Sequence, residues 1–119
     1  MKKYNQTIQD RSYKYALMII KLVEKLPKDN AANIIGKQLI RSATSIGANI
    51  AEAQSASSRR DFTNFYNHSL KSSNESKFWM KLLKDSEKAN KEDIMPLINE
   101  TNELANILAA SILKLKGKV

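Results

Sequence analysis

Two pairs of polar residues in the middle of the chain have the types and spacing that acid–base chemistry requires. Asn49 and Glu52 lie three residues apart in the stretch "SIGANIAEA", so they share one face of a helix. His68 and Glu75 lie seven residues apart, and a histidine and a carboxylate on one helical face can exchange a proton. Three interpretations are open for Asn49 and Glu52: a polar strip, a catalytic pair, or contacts that fix the register of a second helix or subunit. His68 is also compatible with an ordinary surface position.

The composition argues against the common catalytic and metal sites. The chain has no cysteine, which excludes disulfides, thiolate metal sites and cysteine nucleophiles and predicts a reducing, cytoplasmic location. Its single histidine cannot supply the paired Glu-x-x-His motifs of a di-iron bundle. No phosphate-binding loop, nucleophile elbow or zinc spacing occurs, and no apolar run is long enough to span a membrane. We therefore expect no enzymatic activity, no metal, no cofactor and no membrane association.

The charge distribution points to a polyanionic partner. The net charge is +8, and residues 1–60 carry 11 Lys and Arg against 4 Asp and Glu. Each phosphate that a cation neutralises releases counterions, so such a surface favours nucleic acid. The predicted nucleic-acid-binding residues are Lys14, Lys21, Lys25, Lys28, Arg59 and Arg60, with a second row at Lys77, Lys81, Lys84 and Lys88. The alternative is a soluble protein with solvated lysines. The basic rows lack interleaved aromatic residues, so sequence-specific recognition is not expected.

Four amphipathic stretches must position these side chains. Only 3 Gly and 2 Pro occur, which is typical of long helices with short connections. The predicted helices run from about Thr7 to Leu26, from an Asn30 cap to about Gln54, from about Arg59 to Glu87, and from a cap at Asn90 or Asp93 to about Lys116, with Gly117 as the terminator. The pattern predicts one domain over residues 1–119, an all-α antiparallel up-down four-helix bundle.

Several positions carry specific packing expectations. The seam of the second helix comprises Ile35, Leu39, Ala43, Ile46, Ile50 and Ala53. Gly36 and Gly47 indicate close approach of a neighbouring helix. The third helix carries small residues at Ser69, Ser72, Ser73 and Ser76, whose hydroxyls can bond to backbone carbonyls. The apolar face of the first helix comprises Tyr13, Ala16, Leu17, Ile19, Ile20, Val23 and Leu26, and it is broader than one core needs.

Three segments together resemble a known family. They are "RSATSIGANIAEA", "RRDFTNFY" and "SLKSSNESKFWMKLL", and they resemble the bacterial four-helix-bundle family encoded in intervening sequences of large-subunit ribosomal RNA genes. The matching positions in the first block are Arg41, Ser45, Ile46, Asn49, Ile50, Ala51 and Glu52. Arg59, Asp61, Phe62 and Phe65 match the second block, and Ser72 and Glu75 match the third. Ala53 and Lys71 stand where the family usually has glycine.

The resemblance implies an assembly as well as a fold. It implies a ring-like homopentamer without enzymatic activity. A relative, the accessory protein of diversity-generating retroelements, binds nucleic acid and a reverse transcriptase through its basic pentamer surface. We accordingly expect Asn49, Glu52, Asp61 and Glu75 to have structural or interface roles, and Asp61 in particular to stabilise the start of the third helix.

Two functions remain as alternatives at this stage. The first is a non-enzymatic oligomeric module that binds RNA or DNA through its basic rows. The second is a scaffold that binds another protein through an exposed apolar patch. Phe78 and Trp79 are adjacent and cannot both face one core, so at least one of them should lie at an interface or in solvent.

Overall fold

Four helices joined by short connections form the molecule. The computed structural model describes residues 7–117. Over that range it contains α1 (Ile8–Glu24), α2 (Asn30–Ala53), α3 (Arg59–Asp85) and α4 (Lys91–Leu115), with no strand. Each connection has only five residues, so consecutive helices run antiparallel. Helices α1 and α3 each pack against both α2 and α4 and therefore lie diagonally across the bundle. The predicted up-down four-helix bundle is confirmed.

The helix starts follow from local capping chemistry. The side chains of Thr7, Asp29 and Ser58 each accept a hydrogen bond from a backbone N–H in the first turn of α1, α2 and α3. The prediction of Asn30 as the cap of α2 was wrong by one residue. Asp29 caps instead, because its carboxylate accepts from the Ala32 N–H at 2.8 Å, and this bond lowers the pKa of Asp29.

Of the two caps that the sequence allows for α4, the structure has the earlier one. Asn90 is the N-cap residue, although its side chain makes no capping hydrogen bond. Pro96 consequently lies inside the second turn of α4, where it removes one backbone hydrogen bond. Its side chain is exposed, so the ring does not disturb the core.

Two helix ends depend on residues in the left-handed conformation. Gly117, the predicted terminator of α4, has a φ of 71°. Helix α3 ends at Asp85, two residues before the predicted end, because Glu87 has a φ of 61°. The N–H groups of Glu87 and Lys88 then bond to the carbonyls of Lys84 and Leu83, which is a Schellman motif. Helix α1 ends at Glu24, before the predicted Leu26, and its C-cap residue Lys25 keeps a right-handed conformation.

The core contains the predicted seam of α2 and places both helical glycines against α1. Leu39, Ala43, Ile46, Ile50 and Ala53 are buried and Ile35 is half-buried. A Cβ on Gly36 would lie 3.1 Å from Cγ1 of Val23, and one on Gly47 would lie 3.1 Å from Oγ of Ser12. The expected close approach at both glycines is therefore confirmed.

The buried serines of α3 donate their hydroxyls to backbone carbonyls, and two of them, Ser69 and Ser76, contact α2. Ser69, Ser73 and Ser76 are fully buried. Ser69 donates across the interface to the Ile46 carbonyl at 2.8 Å, and Ser76 donates to the Ser72 carbonyl of its own helix at 2.9 Å. Small side chains let the two backbones approach, as the sequence predicted.

A layer of hydroxyl groups crosses the core, with one member from each helix. We call it the hydroxyl layer; its members are Tyr15, Ser42, Ser76 and Thr101, each at most 1% exposed. Tyr15 Oη lies 2.7 Å from Thr101 Oγ1, and the Oγ atoms of Ser42 and Ser76 lie 2.9 Å apart. Burial raises the pKa of Tyr15 to about 12, with the hydrogen bonds to Thr101 and Ser76 opposing the rise. Since buried hydroxyls need partners, the layer favours one alignment of the four helices.

The apolar face of α1 is only partly used by the core. Tyr15, Ile19 and Leu22 are buried, whereas Tyr13 and Leu17 are 67% and 45% exposed. The expectation that this face exceeds the needs of one core is borne out by these exposures. The core-facing side of α1 also carries an ion pair, in which Arg11 binds Glu100 of α4 at 2.7 Å.

Candidate nucleic-acid interface

The predicted lysine row lies on the outside of α1 and continues beyond its end. Lys14 and Lys21 belong to α1, Lys25 is its C-cap residue, and Lys28 lies in the connection to α2. All four residues are exposed. Lys25 Nζ lies 3.8 Å from a carboxylate oxygen of Asp93. The other three form no salt bridge with any residue in the range 7–117, so their charges are uncompensated.

The two arginines at the start of α3 have different roles. Arg59 Nε donates a hydrogen bond to the Leu115 carbonyl at 3.1 Å, which satisfies one of the carbonyls left unpaired at the end of α4. Arg60 is exposed and has no salt bridge with the described residues. It borders a depression of about 480 Å³ that Asn64, Asn67 and Lys116 also line. Arg59 is thus structural in part, and Arg60 is the side chain available to a ligand.

The six predicted binding residues do not form one patch. Lys25 lies beside Asp93 near the start of α4, and Arg59 lies beside Leu115 where α4 ends. These two positions of α4 are 22 residues apart, or about 33 Å along the helix. The lysine row and the arginine pair are therefore separate basic regions in one protomer.

The second predicted lysine row is partly neutralised, because Asp85 and Asp29 pair with three of its four lysines and Lys77 forms no salt bridge with the described residues. Lys81 and Lys84 lie 4.0 and 3.5 Å from the carboxylate of Asp85. Lys88 lies beyond the end of α3 and bonds to Asp29 at 2.9 Å. This row is consequently a weaker candidate than the one on α1.

Asn49 and Glu52 form a polar strip within one protomer. Asn49 Nδ2 donates to the Ser45 carbonyl of its own helix at 2.8 Å. Glu52 is exposed, and its carboxylate makes no hydrogen bond or salt bridge with the residues that the structure describes. Neither side chain binds another helix of the bundle, and a contact with a second subunit stays a prediction.

Glu75 links α2 and α3 and does not form an acid–base pair with His68. Its carboxylate binds Arg41 at 2.9 Å and accepts from the Trp79 indole N–H at 3.2 Å. His68 is exposed and is not bonded to this carboxylate. The structure does not assemble the acid–base pair that the spacing suggested.

Asp61 stabilises the start of α3, as its position predicted. Its backbone N–H bonds to Ser58 Oγ at 3.0 Å, and its carboxylate accepts from the Ser57 N–H at 3.2 Å. The two bonds satisfy the backbone N–H groups of Asp61 and Ser57 at the helix start.

An apolar groove between α1 and α2 is the main feature that sequence reasoning did not locate. We call it the α1–α2 groove. It has a volume of about 760 Å³, and its apolar lining residues include Tyr13, Ala16, Leu17, Ile20, Ala48 and Ala51. Two features of the sequence indicate the groove. The apolar face of α1 is broader than one core needs, and Gly47, Ala48 and Ala51 have small side chains that leave space on this side of α2.

The described residues offer neither a metal cluster nor a membrane span. No group of three or more His, Asp or Glu residues in the range 7–117 is placed to hold a metal ion. No helix in that range is both long and apolar enough to cross a bilayer. Buried side-chain polar atoms there all have hydrogen-bond partners.

Comparisons with known proteins identify relatives of the whole bundle. A family model described as "23S rRNA-intervening sequence protein" matches residues 4–110. A protein with unknown function from the S23 ribosomal protein family of Bacteroides thetaiotaomicron, known from a crystal structure, is 37% identical in sequence to this chain. The two structures superpose with a TM-score of 0.84. That match covers 89% of this chain and 98% of the other. No curated protein matches the sequence.

Proposed function

Because the chain belongs to the 23S rRNA-intervening sequence protein family, we propose that it is a non-enzymatic homo-oligomeric bundle that binds RNA or DNA with little dependence on sequence. We place it in the cytoplasm. Its structural neighbour is described as having unknown function, so the proposal depends on the charges of this chain. The observation that carries it is the exposed lysine row on α1 with three uncompensated charges.

The chemistry of the row fits phosphate groups better than bases. Lys14 and Lys21 on α1 and Lys28 in the following connection are flexible point charges, and point charges recognise phosphates without reading sequence. The row contains no aromatic residue and no bidentate arginine that could read a base edge. Binding should therefore be electrostatic and sensitive to salt.

Assembly into a homo-oligomer would strengthen this surface. The α1–α2 groove leaves Leu17 and Ile20 45% and 37% exposed, and a second copy that covers it would remove apolar surface from water. Tyr13 borders the same groove, while Lys14 follows it on the outward side of α1. Copies joined through the groove would repeat the lysine row around the assembly, and the potentials would add. The pentamer implied by the family resemblance is the assembly that we propose.

The test is a salt titration of nucleic-acid affinity. We expect the triple variant Lys14→Gln, Lys21→Gln and Lys28→Gln to weaken binding of labelled RNA and DNA alike. The slope of log affinity against log salt should become shallower by up to about 3, because each lost phosphate contact contributes about one. Fluorescence anisotropy across a salt series measures both quantities.

A second triple variant controls for net charge. Lys37, Lys91 and Lys114 are exposed and form no salt bridge with the described residues, so their replacement by Gln lowers the net charge from +8 to +5 equally. We expect this variant to retain most of the affinity. Equal losses in the two variants would contradict a specific role for the row, and salt-independent binding, or none at low salt, would contradict the proposed function.

A protein-binding scaffold is the second candidate function. The observation that favours it is the α1–α2 groove, whose apolar lining suits a helix of a partner protein as well as another copy. Failure of nucleic-acid binding in the salt series, together with a monomeric protein, would favour this alternative.

A further inference from the structure

One row of residues runs along the whole outer face of α3. Steps of four and three residues keep it straight on the helix surface, and we call it the outer row. Its members are Arg60, Asn64, Asn67, Lys71, Asn74, Phe78 and Lys81, all of them exposed except Asn67, which is half-buried. Helix α3 packs on α2 and α4 through its other side, so the outer row faces away from the bundle.

Phe78 is an exposed aromatic residue between Lys77 and Lys81, so the expectation that the basic rows lack interleaved aromatic residues was wrong for the row on α3. Phe78 is 56% exposed, although an aromatic side chain is ordinarily buried. Its ring contacts that of Trp79 edge-on, with centroids 5.0 Å apart and an interplanar angle of 71°. Trp79 is half-buried and is held by its bond to Glu75. The ring of Phe78 is thereby held against the surface while most of the side chain stays in solvent, which confirms that Phe78 and Trp79 do not share one core.

The charges and amides around this ring suit a nucleic-acid backbone. Arg60 and Lys71 form no salt bridge with any residue in the range 7–117. Lys81 Nζ lies 4.0 Å from a carboxylate oxygen of Asp85, and both side chains are more than half exposed. Three acidic groups on α3 adjoin the row: Asp61 accepts from the Ser57 N–H, Glu75 pairs with Arg41, and Asp85 lies at the far end. Three asparagines, at 64, 67 and 74, add amide donors between the cations.

The two ends of the outer row offer complementary contacts. At the start, Arg60 borders the depression of about 480 Å³ together with Asn64, Asn67 and Lys116. Phe78 lies 18 residues further along the helix, or about 27 Å away. Cations that follow a phosphate backbone together with an aromatic ring that stacks on a base are the usual elements of single-strand binding.

We propose that the outer row of α3 binds single-stranded nucleic acid, with one base stacked on Phe78 and the backbone held by Arg60, Lys71 and Lys81. This inference rests on the proposed nucleic-acid binding and adds a substrate class and a second surface to it. A duplex cannot supply the stacked base, because its bases already stack on one another. The outer row therefore distinguishes single strands from duplexes, which the lysine row of α1 does not.

The experiment compares three ligands of about twelve nucleotides, a length within the range of single-strand sites: a single-stranded oligonucleotide, its duplex, and an abasic single strand. Affinities are measured by anisotropy at low salt for the wild type and for Phe78→Ala, Phe78→Tyr and Leu113→Ala. Leu113 is a matched control, because it is a 45% exposed apolar residue on α4. Trp79 is the only tryptophan, and its fluorescence reports directly on the neighbouring ring.

We expect Phe78→Ala to weaken binding of the single strand about 5- to 150-fold, the range that corresponds to loss of one stacked base. Duplex and abasic affinities should stay unchanged, Phe78→Tyr should retain wild-type affinity, and Leu113→Ala should have no effect. The single strand alone should change the fluorescence of Trp79.

Each contrary outcome has a distinct meaning. Equal affinity of wild type and Phe78→Ala for the single strand would overturn the stacking role while leaving electrostatic binding by α1 intact. Absence of binding to all three ligands would overturn the proposed function itself. A change of oligomeric state in Phe78→Ala, seen by light scattering, would show that Phe78 lies in a protein interface and would overturn the inference.

Discussion

The hydroxyl of Tyr15 shows how one buried residue links core packing to pH. It is bonded within the hydroxyl layer and is 1% exposed. Burial raises its pKa to about 12 from an ordinary value of 10.0, because the phenolate would be desolvated in the core. The folded protein therefore holds this proton more tightly than the unfolded chain does. Its contribution to stability is complete below pH 10 and is lost as the pH rises toward 12.

We expect this loss to appear as an alkaline decrease in the free energy of unfolding. The decrease attributable to Tyr15 should be about 2–3 kcal/mol between pH 10 and 12, since each pKa unit corresponds to about 1.4 kcal/mol. Urea unfolding of the wild type and of Tyr15→Phe measures it. The variant lacks the ionisable group, so its stability should fall less steeply over this range. Parallel pH curves for the two proteins would contradict the assignment.

Local chemistry at the helix ends determines the length of each element. Asp29 and Ser58 set the starts of α2 and α3, and the positive φ of Glu87 sets the end of α3. A residue with a Cβ is strained in the left-handed conformation, whereas glycine is not. Helix α4 has glycine at the equivalent position, Gly117. Helix α3 therefore carries a strained end that a substitution can relieve.

We expect Glu87→Gly to raise the free energy of unfolding by up to about 1 kcal/mol, because it removes the strain of the positive φ at the Schellman motif. Chemical denaturation measures the change. Glu87→Ala is the matched control: it also removes the carboxylate but keeps a Cβ, so it should not stabilise the protein. Equal stabilisation by both variants would attribute the effect to charge.

At the scale of the whole molecule, α1 carries four of the nine large apolar side chains that are exposed among the described residues. The α1–α2 groove places Tyr13, Leu17 and Ile20 beside the small residues of α2, and a contiguous apolar groove is typical of a surface that another chain covers. In a cyclic assembly each subunit presents two different surfaces, one to each of its two neighbours. We therefore expect the α1–α2 groove to be one of these two surfaces and part of the subunit interface in the proposed oligomer.

Replacing Leu17 with serine tests this interface. We expect the wild type to be oligomeric at micromolar concentration and Leu17→Ser to shift the population toward monomer, because the serine hydroxyl loses solvation without gaining a partner. Light scattering measures the mass. Leu113→Ser is the control, since both leucines are 45% exposed. A monodisperse wild-type monomer would refute the prediction.

The sequence by itself determined the number of helices, their approximate bounds and the bundle architecture. These properties depend on local patterns, namely apolar residues at helical spacing and turn formers between them. The sequence also predicted close packing at Gly36, Gly47 and the serines of α3. A small residue on the buried face of a helix indicates that another helix approaches closely, even when the sequence does not show which helix it is.

The tertiary structure alone decided how each helix is rotated about its axis and which residues meet across the bundle. The apolar residues of α1 cover so much of its circumference that several rotations would bury a core; packing on α2 and α4 selected Tyr15 for the core and left Tyr13 and Leu17 in the groove. Arg59 and the lysine row were grouped by charge, yet antiparallel packing put Arg59 at the opposite end of α4 from Lys25. Distances between residues far apart in the chain depend on these rotations and helix positions, which no local pattern encodes.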